Sequence, residues 1–442
     1  MVDLQLFPSF PPAKSNEAAA PLGALATVRR ADPAPALVAI AVIAPFPAAS
    51  NFPAAWLMWS ALIGLVWMRA PEQLTGHCLH KTHLRLLWLP LLFAAYALLQ
   101  AAAGILPVDF RYLPAPSVAP TATLLAALRI IGLALILQML FSQRRDEDRH
   151  MMLALWLFWG IVAHAFFALV RLYIYSDLAD LAAPDRYFGV TLGGFVAPNA
   201  LAMQLGFGLI LGLAFLPSRK GKDRYVFLLA LIILALALVA TQSRLGILST
   251  LIGAAVVSVL VAGSRRSAAI SLTAIISLGA AGFVFGPVRA RLAELPNALE
   301  ARLALYRQVM ELIAQNWASG VGIDAFELAF PAVHRPPVTA GFVWDNAHSG
   351  YLTLWAEAGL LVGSLPLLAA VFAITGLSGR LAKLARGPER ALPAAALAAL
   401  IQSGLHSGFD FAVEVYANTL TLTLLVALAL APVRTSNTRR KP

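Results

Sequence analysis

The chain has 442 residues, of which 60% are hydrophobic and 12% are charged. This composition excludes an ordinary soluble protein, in which about 25% of residues are charged. The net charge of +11 does not indicate nucleic-acid binding, because the basic residues stand in short runs between apolar segments. A single cysteine, Cys78, excludes an intrachain disulfide and argues against a zinc cluster. An all-α membrane protein is predicted, since lipid-exposed backbone must satisfy its own hydrogen bonds.

Apolar runs long enough to cross a hydrocarbon core of about 30 Å recur along the chain and predict about twelve transmembrane helices. The predicted spans are residues 36–51, 53–69, 86–104, 121–142, 151–174, 198–217, 225–242, 245–263, 268–286, 350–376, 391–408 and 417–433. Residues 1–35 and 434–442 are predicted tails. Nine helices are thus expected in 36–286, a long loop in 287–349 between helices nine and ten, and three helices in 350–433.

Lysine and arginine residues are concentrated in alternate connections. They precede the first predicted span and follow the second, fourth, sixth, eighth, tenth and twelfth, for example at Arg144-Arg145 and Arg265-Arg266. Because cytoplasmic loops carry the excess of basic residues, both termini are predicted in the cytoplasm. The segment 287–349 has fewer basic residues for its length and is predicted on the outer face.

One amphipathic helix is predicted inside this outer segment. Leu299, Leu303, Tyr306, Met310 and Ile313 fall on one helical face, with charged and polar residues off that face. The pattern is typical of a helix lying on the membrane surface. It fits equally well a small packed pair of helices outside the membrane.

Three ionisable residues near the outer face are candidates for chemistry, because such groups near a bilayer are costly and tend to be functional. Arg186 lies between the fifth and sixth spans, Arg244 at the tight turn after the seventh, and His348 at the start of the tenth. Each also has a structural interpretation, as a loop arginine, a membrane anchor and a helix-start residue. Asn346 is the expected N-cap of the tenth span.

Together these residues indicate phosphate chemistry. Guanidinium groups bind phosphate oxygens bidentately and stay charged, and a histidine suits general-base work near neutral pH. Metal-assisted chemistry needs clustered carboxylates, whereas the outer acids, among them Asp324, Asp410 and Glu414, are scattered along the sequence. No metal is therefore predicted. Arg129, deep in the fourth span, is expected to face the interior of the bundle.

Five short motifs, in this order, resemble the O-antigen ligase and polymerase superfamily of bacterial membrane glycosyltransferases. They are Arg186 to Asn199 with Ala202; Ser243-Arg244; Arg302 to Tyr306 followed by Gly320-Val321-Gly322 and Phe326; His348-Ser349 to Leu352, Glu357, Gly359 and Gly363; and His406-Ser407 to Phe409-Asp410 and Asn418. The resemblance covers more than half of the chain. Ser349 and Tyr306 depart from the Asn and Trp that are commoner in the family, but neither change removes a charge or a base.

The resemblance implies a GT-C-like fold and a metal-independent, cofactor-free glycosyl transfer at the periplasmic face of a bacterial inner membrane. The implied donor is a glycan linked to undecaprenyl diphosphate, and the first expected acceptor is lipid A-core. By similarity, Arg186 and Arg244 would hold the diphosphate, and His348 would activate the acceptor hydroxyl with inversion at the anomeric carbon. Further candidates for the site are Arg302, Arg307, Arg129 and Glu357.

Other functions stay open at this point. The acceptor could be a second lipid-linked repeat unit, which would make the protein a polymerase of O-antigen or exopolysaccharide, or it could be a protein. A transporter of lipid-linked glycans would also suit many spans, but such folds usually show paired repeats with a polar site near the midplane. A scaffolding protein would have no need of the arginines and histidine.

Overall fold

A computed structural model of the chain describes residues 32–70, 80–105, 115–174, 193–195, 197–285, 295–341 and 343–433. Within these residues the regular structure is helical, with no β-strand, which confirms the predicted all-α class for this part of the chain. Fifteen α-helices lie there, numbered in chain order. They are α1 (Ala34–Ile43), α2 (Pro53–Arg69), α3 (Lys81–Ile105), α4 (Pro120–Phe141), α5 (Glu147–Ile174), α6 (Pro198–Phe215), α7 (Gly221–Ala240), α8 (Arg244–Val261), α9 (Arg265–Phe285), α10 (Leu295–Gln315), α11 (Phe326–Ala329), α12 (Gly350–Gly363), α13 (Leu365–Lys383), α14 (Ala391–Ser407) and α15 (Tyr416–Leu430).

Seven of the described helices are long and apolar enough to cross a membrane. They are α3, α4, α5, α6, α7, α8 and α13, and the shorter helices α1 and α15 are apolar as well. Several helices of this length and composition define a multi-pass membrane protein. The number of about twelve spans stays a prediction.

The prediction of one continuous helix over residues 350–376 is wrong. The chain forms two helices there, α12 and α13, and α12 is itself interrupted at Gly359, where φ is +73°. Glycine adopts this left-handed conformation at little cost. A β-carbon at Gly359 would also lie only 2.6 Å from the carbonyl oxygen of Ala318, so the backbone of the preceding segment packs directly against the break.

The first predicted span, residues 36–51, is also too long. Helix α1 ends at Ile43, and Pro45 and Pro47 follow in a turn. Proline has no backbone N–H to donate and its ring clashes with the preceding turn, so these two residues end the helix. The next predicted span, 53–69, has the same bounds as α2.

Helix α6 lies at the centre of the bundle, with nearly all its residues buried against α7, α8 and α14. A helix that is apolar all round is typical of such a position. Its small residues allow close approach, since a β-carbon at Gly206 would lie 2.0 Å from Nε2 of Gln402. That amide donates to Thr250 Oγ1 at 3.1 Å and to the carbonyl of Met203 at 3.3 Å, which ties α6, α8 and α14 together.

Basic residues hold the end of the bundle at which α13 and α15 finish. Arg380, in the last turn of α13, donates to the carbonyls of Ala429 at 2.6 Å and Ala431 at 3.1 Å. These carbonyls have no partner within α15, and a cation near a helix C-terminus is favourable. Arg145 forms an ion pair with Asp32 at 2.8 Å, just before α1 begins.

Helix α10 packs against α12 and the segment around α11 to form a second small core. Leu305, Val309 and Ile313 are buried in it. Of the five residues expected on one membrane-facing side, Leu299, Leu303 and Met310 are exposed, Tyr306 is half-buried and Ile313 is buried. The helix therefore has two apolar sides. One packs within the protein, as predicted for a packed pair of helices, and the other is exposed on the protein surface.

Residues 320–322 complete the interrupted end of α12. The N–H of Val321 donates to the carbonyl of Ala356 at 3.0 Å, and the N–H of Gly322 to that of Glu357 at 2.9 Å. Gly320 has φ +68°, and a β-carbon there would lie 2.2 Å from the carbonyl oxygen of Glu357. The Gly-x-Gly motif thus supplies the hydrogen bonds that the helix lacks at its break.

Candidate active site

His348 stands just before α12 in a backbone conformation that is unusual for a residue with a side chain. Its φ is +49°, in the left-handed region. Its N–H donates to Asn346 Oδ1 at 2.9 Å, and its carbonyl accepts from the hydroxyl of Tyr306 at 2.9 Å. The ring lies edge-on to Trp344 and Phe411, with centroid distances of 5.8 Å and 5.7 Å. Both the backbone and the imidazole are therefore held by neighbours.

The expected role of Asn346 as an N-cap is wrong. Helix α12 begins at Gly350, so the N-cap position is Ser349, whose side chain makes no capping hydrogen bond. Asn346 is buried, with 5% of its surface exposed, and its side-chain oxygen instead accepts from the backbone N–H of His348. Asn346 also donates from Nδ2 to Asp345 Oδ1 at 2.6 Å, which fixes the orientation of the amide.

Arg244 is the first residue of α8, and its helix start is capped by Ser243. The Ser243 hydroxyl accepts from the N–H of Gly246 at 3.0 Å and donates to Asn199 Oδ1 at 2.6 Å. Asn199, in the first turn of α6, donates from Nδ2 to Asp410 Oδ2 at 2.5 Å. A continuous chain of hydrogen bonds thus runs from the Arg244 helix to a buried carboxylate.

Asp410, in the loop between α14 and α15, also touches the His348 segment. Its carbonyl accepts from the N–H of Gly350, the first residue of α12, at 3.3 Å. Burial raises the pKa of the Asp410 carboxyl to about 6, while the hydrogen bond from Asn199 and the nearby charge of Arg302 act in the opposite direction. The starts of α6, α8 and α12 therefore meet at one acid, with Arg302 of α10 close by.

Arg129 lies beside a second group of acids at the same end of the bundle. Its guanidinium is 3.9 Å from Asp324 and stacks over the ring of Trp56 at 4.3 Å. Burial raises the pKa of Glu414 well above its usual value; the charges of Glu357, Asp324 and Asp410 act in the same direction, and that of Arg129 opposes them.

Although they are scattered along the sequence, Asp324, Asp410 and Glu414 lie within electrostatic reach of one another in the folded chain. Among the residues that the structure describes, no group of three or more His, Cys, Asp or Glu has a geometry that could hold a metal ion.

The remaining residues predicted for the site lie in different surroundings. Glu357 is 8% exposed and accepts at Oε1 from the N–H of Phe326, the first residue of α11, which is a capping contact. Arg307 is exposed on the surface of α10. Arg186 lies outside the described residues.

Sequence reasoning gave no role to Asn199, Ser243, Tyr306 or Asp410, although each stands in a motif that carries the resemblance. The available signal was polarity: each is a hydrogen-bonding residue beside an apolar helix, where an unsatisfied polar group is costly. The sequence alone does not reveal that Asn199 and Asp410, 211 positions apart, are in contact.

The fold defines a multi-pass helical membrane protein, in which the starts of α6, α8 and α12 meet around Asp410. Residues 228–367 match a family model described as O-antigen ligase. The matched stretch contains Arg244, Arg302 and His348, and it supports membership of this chain in the O-antigen ligase superfamily. The family indicates glycosyltransferase activity of the O-antigen ligase or polymerase type. A comparison with curated proteins found no match.

Proposed function

We propose that the protein transfers a glycan from undecaprenyl diphosphate to a hydroxyl of lipid A-core at the periplasmic face of the bacterial inner membrane. The reaction is inverting and needs no metal ion or cofactor. In this proposal the membrane lipids surround the helices, and the end of the bundle that carries His348 faces the periplasm. The family match supports the type of reaction, and the chemistry of the residues around His348 supports the mechanism.

In the proposed step, the acceptor oxygen attacks the anomeric carbon of the donor sugar while His348 takes the hydroxyl proton. The bond between the anomeric carbon and the diphosphate oxygen breaks, and undecaprenyl diphosphate leaves with the electron pair. Attack from the side opposite the leaving group inverts the anomeric centre. Arg244 and Arg186 hold the diphosphate and stabilise the negative charge that develops on it.

The observation that carries this proposal is the backbone of His348. A non-glycine residue at φ +49° costs about 1–3 kcal/mol and persists only where its surroundings enforce it. Asn346 and Tyr306 bond to both backbone polar groups of this residue. A histidine that served only to begin a helix would not require this conformation, whereas an imidazole that must meet a substrate hydroxyl requires a fixed direction.

The test is transfer by purified protein from an undecaprenyl-diphosphate glycan to lipid A-core, in the presence of EDTA. His348→Ala should abolish transfer, and His334→Ala is the matched control. His334 lies in the same segment, and its Nε2 contacts only the nearby carbonyl of Val338 at 3.1 Å among the hydrogen bonds described. We expect wild-type and His334→Ala protein to transfer the glycan at similar rates.

Each alternative predicts a different result. Transfer to a second donor molecule instead of lipid A-core would identify a polymerase. Full activity of His348→Ala would remove the histidine mechanism. Donor binding without any transfer, together with movement of the donor across liposome membranes, would replace the proposal with a transporter.

A further inference from the structure

Three helices begin around the side chain and backbone of Asp410. The amide of Asn199 links the carboxylate to the first turn of α6, and Ser243 extends the link to the N-cap of α8. The carbonyl of Asp410 accepts from Gly350 at the start of α12. The helix that carries Arg244 and the helix that follows His348 are thus joined through one short loop.

The direction of every hydrogen bond in this chain is determined by chemistry. An ionised carboxylate only accepts, so the amide nitrogen of Asn199 must face Asp410 and its oxygen must face Ser243. The Ser243 hydroxyl then donates to Asn199 and accepts from the N–H of Gly246. Because the Asn199 amide and the Ser243 hydroxyl each use both a donor and an acceptor, neither side chain can rotate without breaking a contact.

We infer that Asp410 and Asn199 are positioning residues, which hold Arg244 and His348 at a fixed separation for the transfer reaction. This inference rests on the proposed function and adds to it the residues that set the geometry. Neither residue needs to touch the substrate. They act through the N-cap of α8 and the first residue of α12.

Stability alone does not account for a carboxylate at this place. Asp410 is 1% exposed, and burying an ionised group is costly even when it is hydrogen-bonded. Even a whole buried ion pair can often be replaced by apolar residues of similar volume without loss of stability. A hydrogen bond to an ionised carboxylate is, however, roughly twice as strong as one between neutral groups, so it holds the Asn199 amide more firmly.

The test compares single substitutions with an exchange of the two residues. Asn199→Asp places two carboxylates face to face, and Asp410→Asn removes the charge. Each should lower kcat/KM by about tenfold or more, since misplacement by about 1 Å can cost up to a hundredfold. The double variant Asn199→Asp/Asp410→Asn restores a carboxylate that accepts from both the amide at position 410 and the Ser243 hydroxyl. It should recover most of the lost kcat/KM.

Gln204→Ala is the matched control for general destabilisation. Gln204 is a buried polar residue of the same helix, α6, and its Nε2 donates to Thr421 Oγ1 at 3.2 Å, away from the chain described above. This variant should lower the melting temperature by an amount similar to that for Asn199→Asp, while its kcat/KM stays at the wild-type value.

Binding of undecaprenyl diphosphate to the same variants provides a readout that does not depend on transfer. The single variants should bind it about tenfold more weakly and the exchanged pair nearly normally, because Arg244 is displaced only in the former. If binding follows this pattern while wild-type protein transfers no glycan, the proposed function fails and the positioning role stands. If the single variants bind and turn over like wild type, or if exchange rescues nothing, the positioning role is refuted.

Discussion

Removing the hydroxyl of Tyr306 should release the strained backbone of His348. That hydroxyl donates to the His348 carbonyl at 2.9 Å, and burial raises its pKa, so it remains a neutral donor at working pH. The left-handed conformation costs about 1–3 kcal/mol. The two hydrogen bonds to the His348 backbone, from Tyr306 and to Asn346, contribute about 0.5–1.5 kcal/mol each. The cost of the strained backbone and the stabilisation from the two hydrogen bonds are therefore of similar size.

With so small a margin, the loss of one bond should shift the backbone towards an unstrained conformation. A loss of about 0.5–1.5 kcal/mol corresponds to roughly a two- to thirteenfold smaller population of the productive form. Tyr306→Phe should therefore lower kcat/KM for glycan transfer by this factor. Adding Asn346→Ala should cost less than it does in the wild-type background, because the backbone has already relaxed.

The matched control is Tyr96→Phe, which removes a similar hydroxyl-to-carbonyl bond, 2.7 Å long, from Tyr96 to Ser319. Both variants are assayed for transfer and for melting temperature in the same detergent. Equal losses of kcat/KM in the two variants, or wild-type kcat/KM in Tyr306→Phe, would refute the argument that His348 depends on this bond. Strictly additive effects of Tyr306→Phe and Asn346→Ala would show that the two bonds do not hold one backbone conformation.

Three further predictions concern the guanidinium of Arg244, the glycine at position 320 that packs against the break in α12, and the exposed face of α10. Arg244→Lys should lower kcat/KM although the charge is kept, because an ammonium cannot form the bidentate contact with a diphosphate; unchanged activity would make Arg244 a membrane anchor. Gly320→Ala should lower the melting temperature, since its φ of +68° and a 2.2 Å approach to a backbone carbonyl leave no room for a β-carbon. Gly64→Ala, in an open helical position, should leave it unchanged or raise it. A fluorophore on Leu303→Cys, in a Cys78→Ser background, should be quenched by brominated lipids if this exposed face lies on the bilayer, and an unquenched probe would place the face in water.

Helix positions could be read from the sequence because the length and polarity of each apolar run are local properties. The span predicted over residues 53–69 coincides with α2, and that over 391–408 ends one residue beyond α14. The break at Gly359 could not be read in this way, because glycines in apolar helices also serve close packing without any break. Only the contact with residues 317–322 distinguishes the two cases, and it depends on the folded chain.

Some residues of the candidate site could likewise be selected from the sequence, and others could not. Arg244 and His348 could be selected because they lie at the predicted outer ends of apolar runs, where ionisable residues do not serve as the basic signals of cytoplasmic connections. Asp410 could not, since an acid in a short loop is ordinary until its burial is known. The bonds that give it a role come from Asn199 and Gly350, which lie on two other helices.

These contacts imply that α12 is held at both ends by other parts of the chain. Asp410 bonds to its first residue, and residues 321 and 322 bond to the carbonyls before its break at Gly359. The helix also packs on α10, which supplies Tyr306 to the His348 backbone. The position of His348 is therefore set by α10, α12 and the loop after α14. Substitutions that loosen the packing of Val309 or Phe326 in the small core should thus disturb His348 more than equally large substitutions on the exposed side of α13.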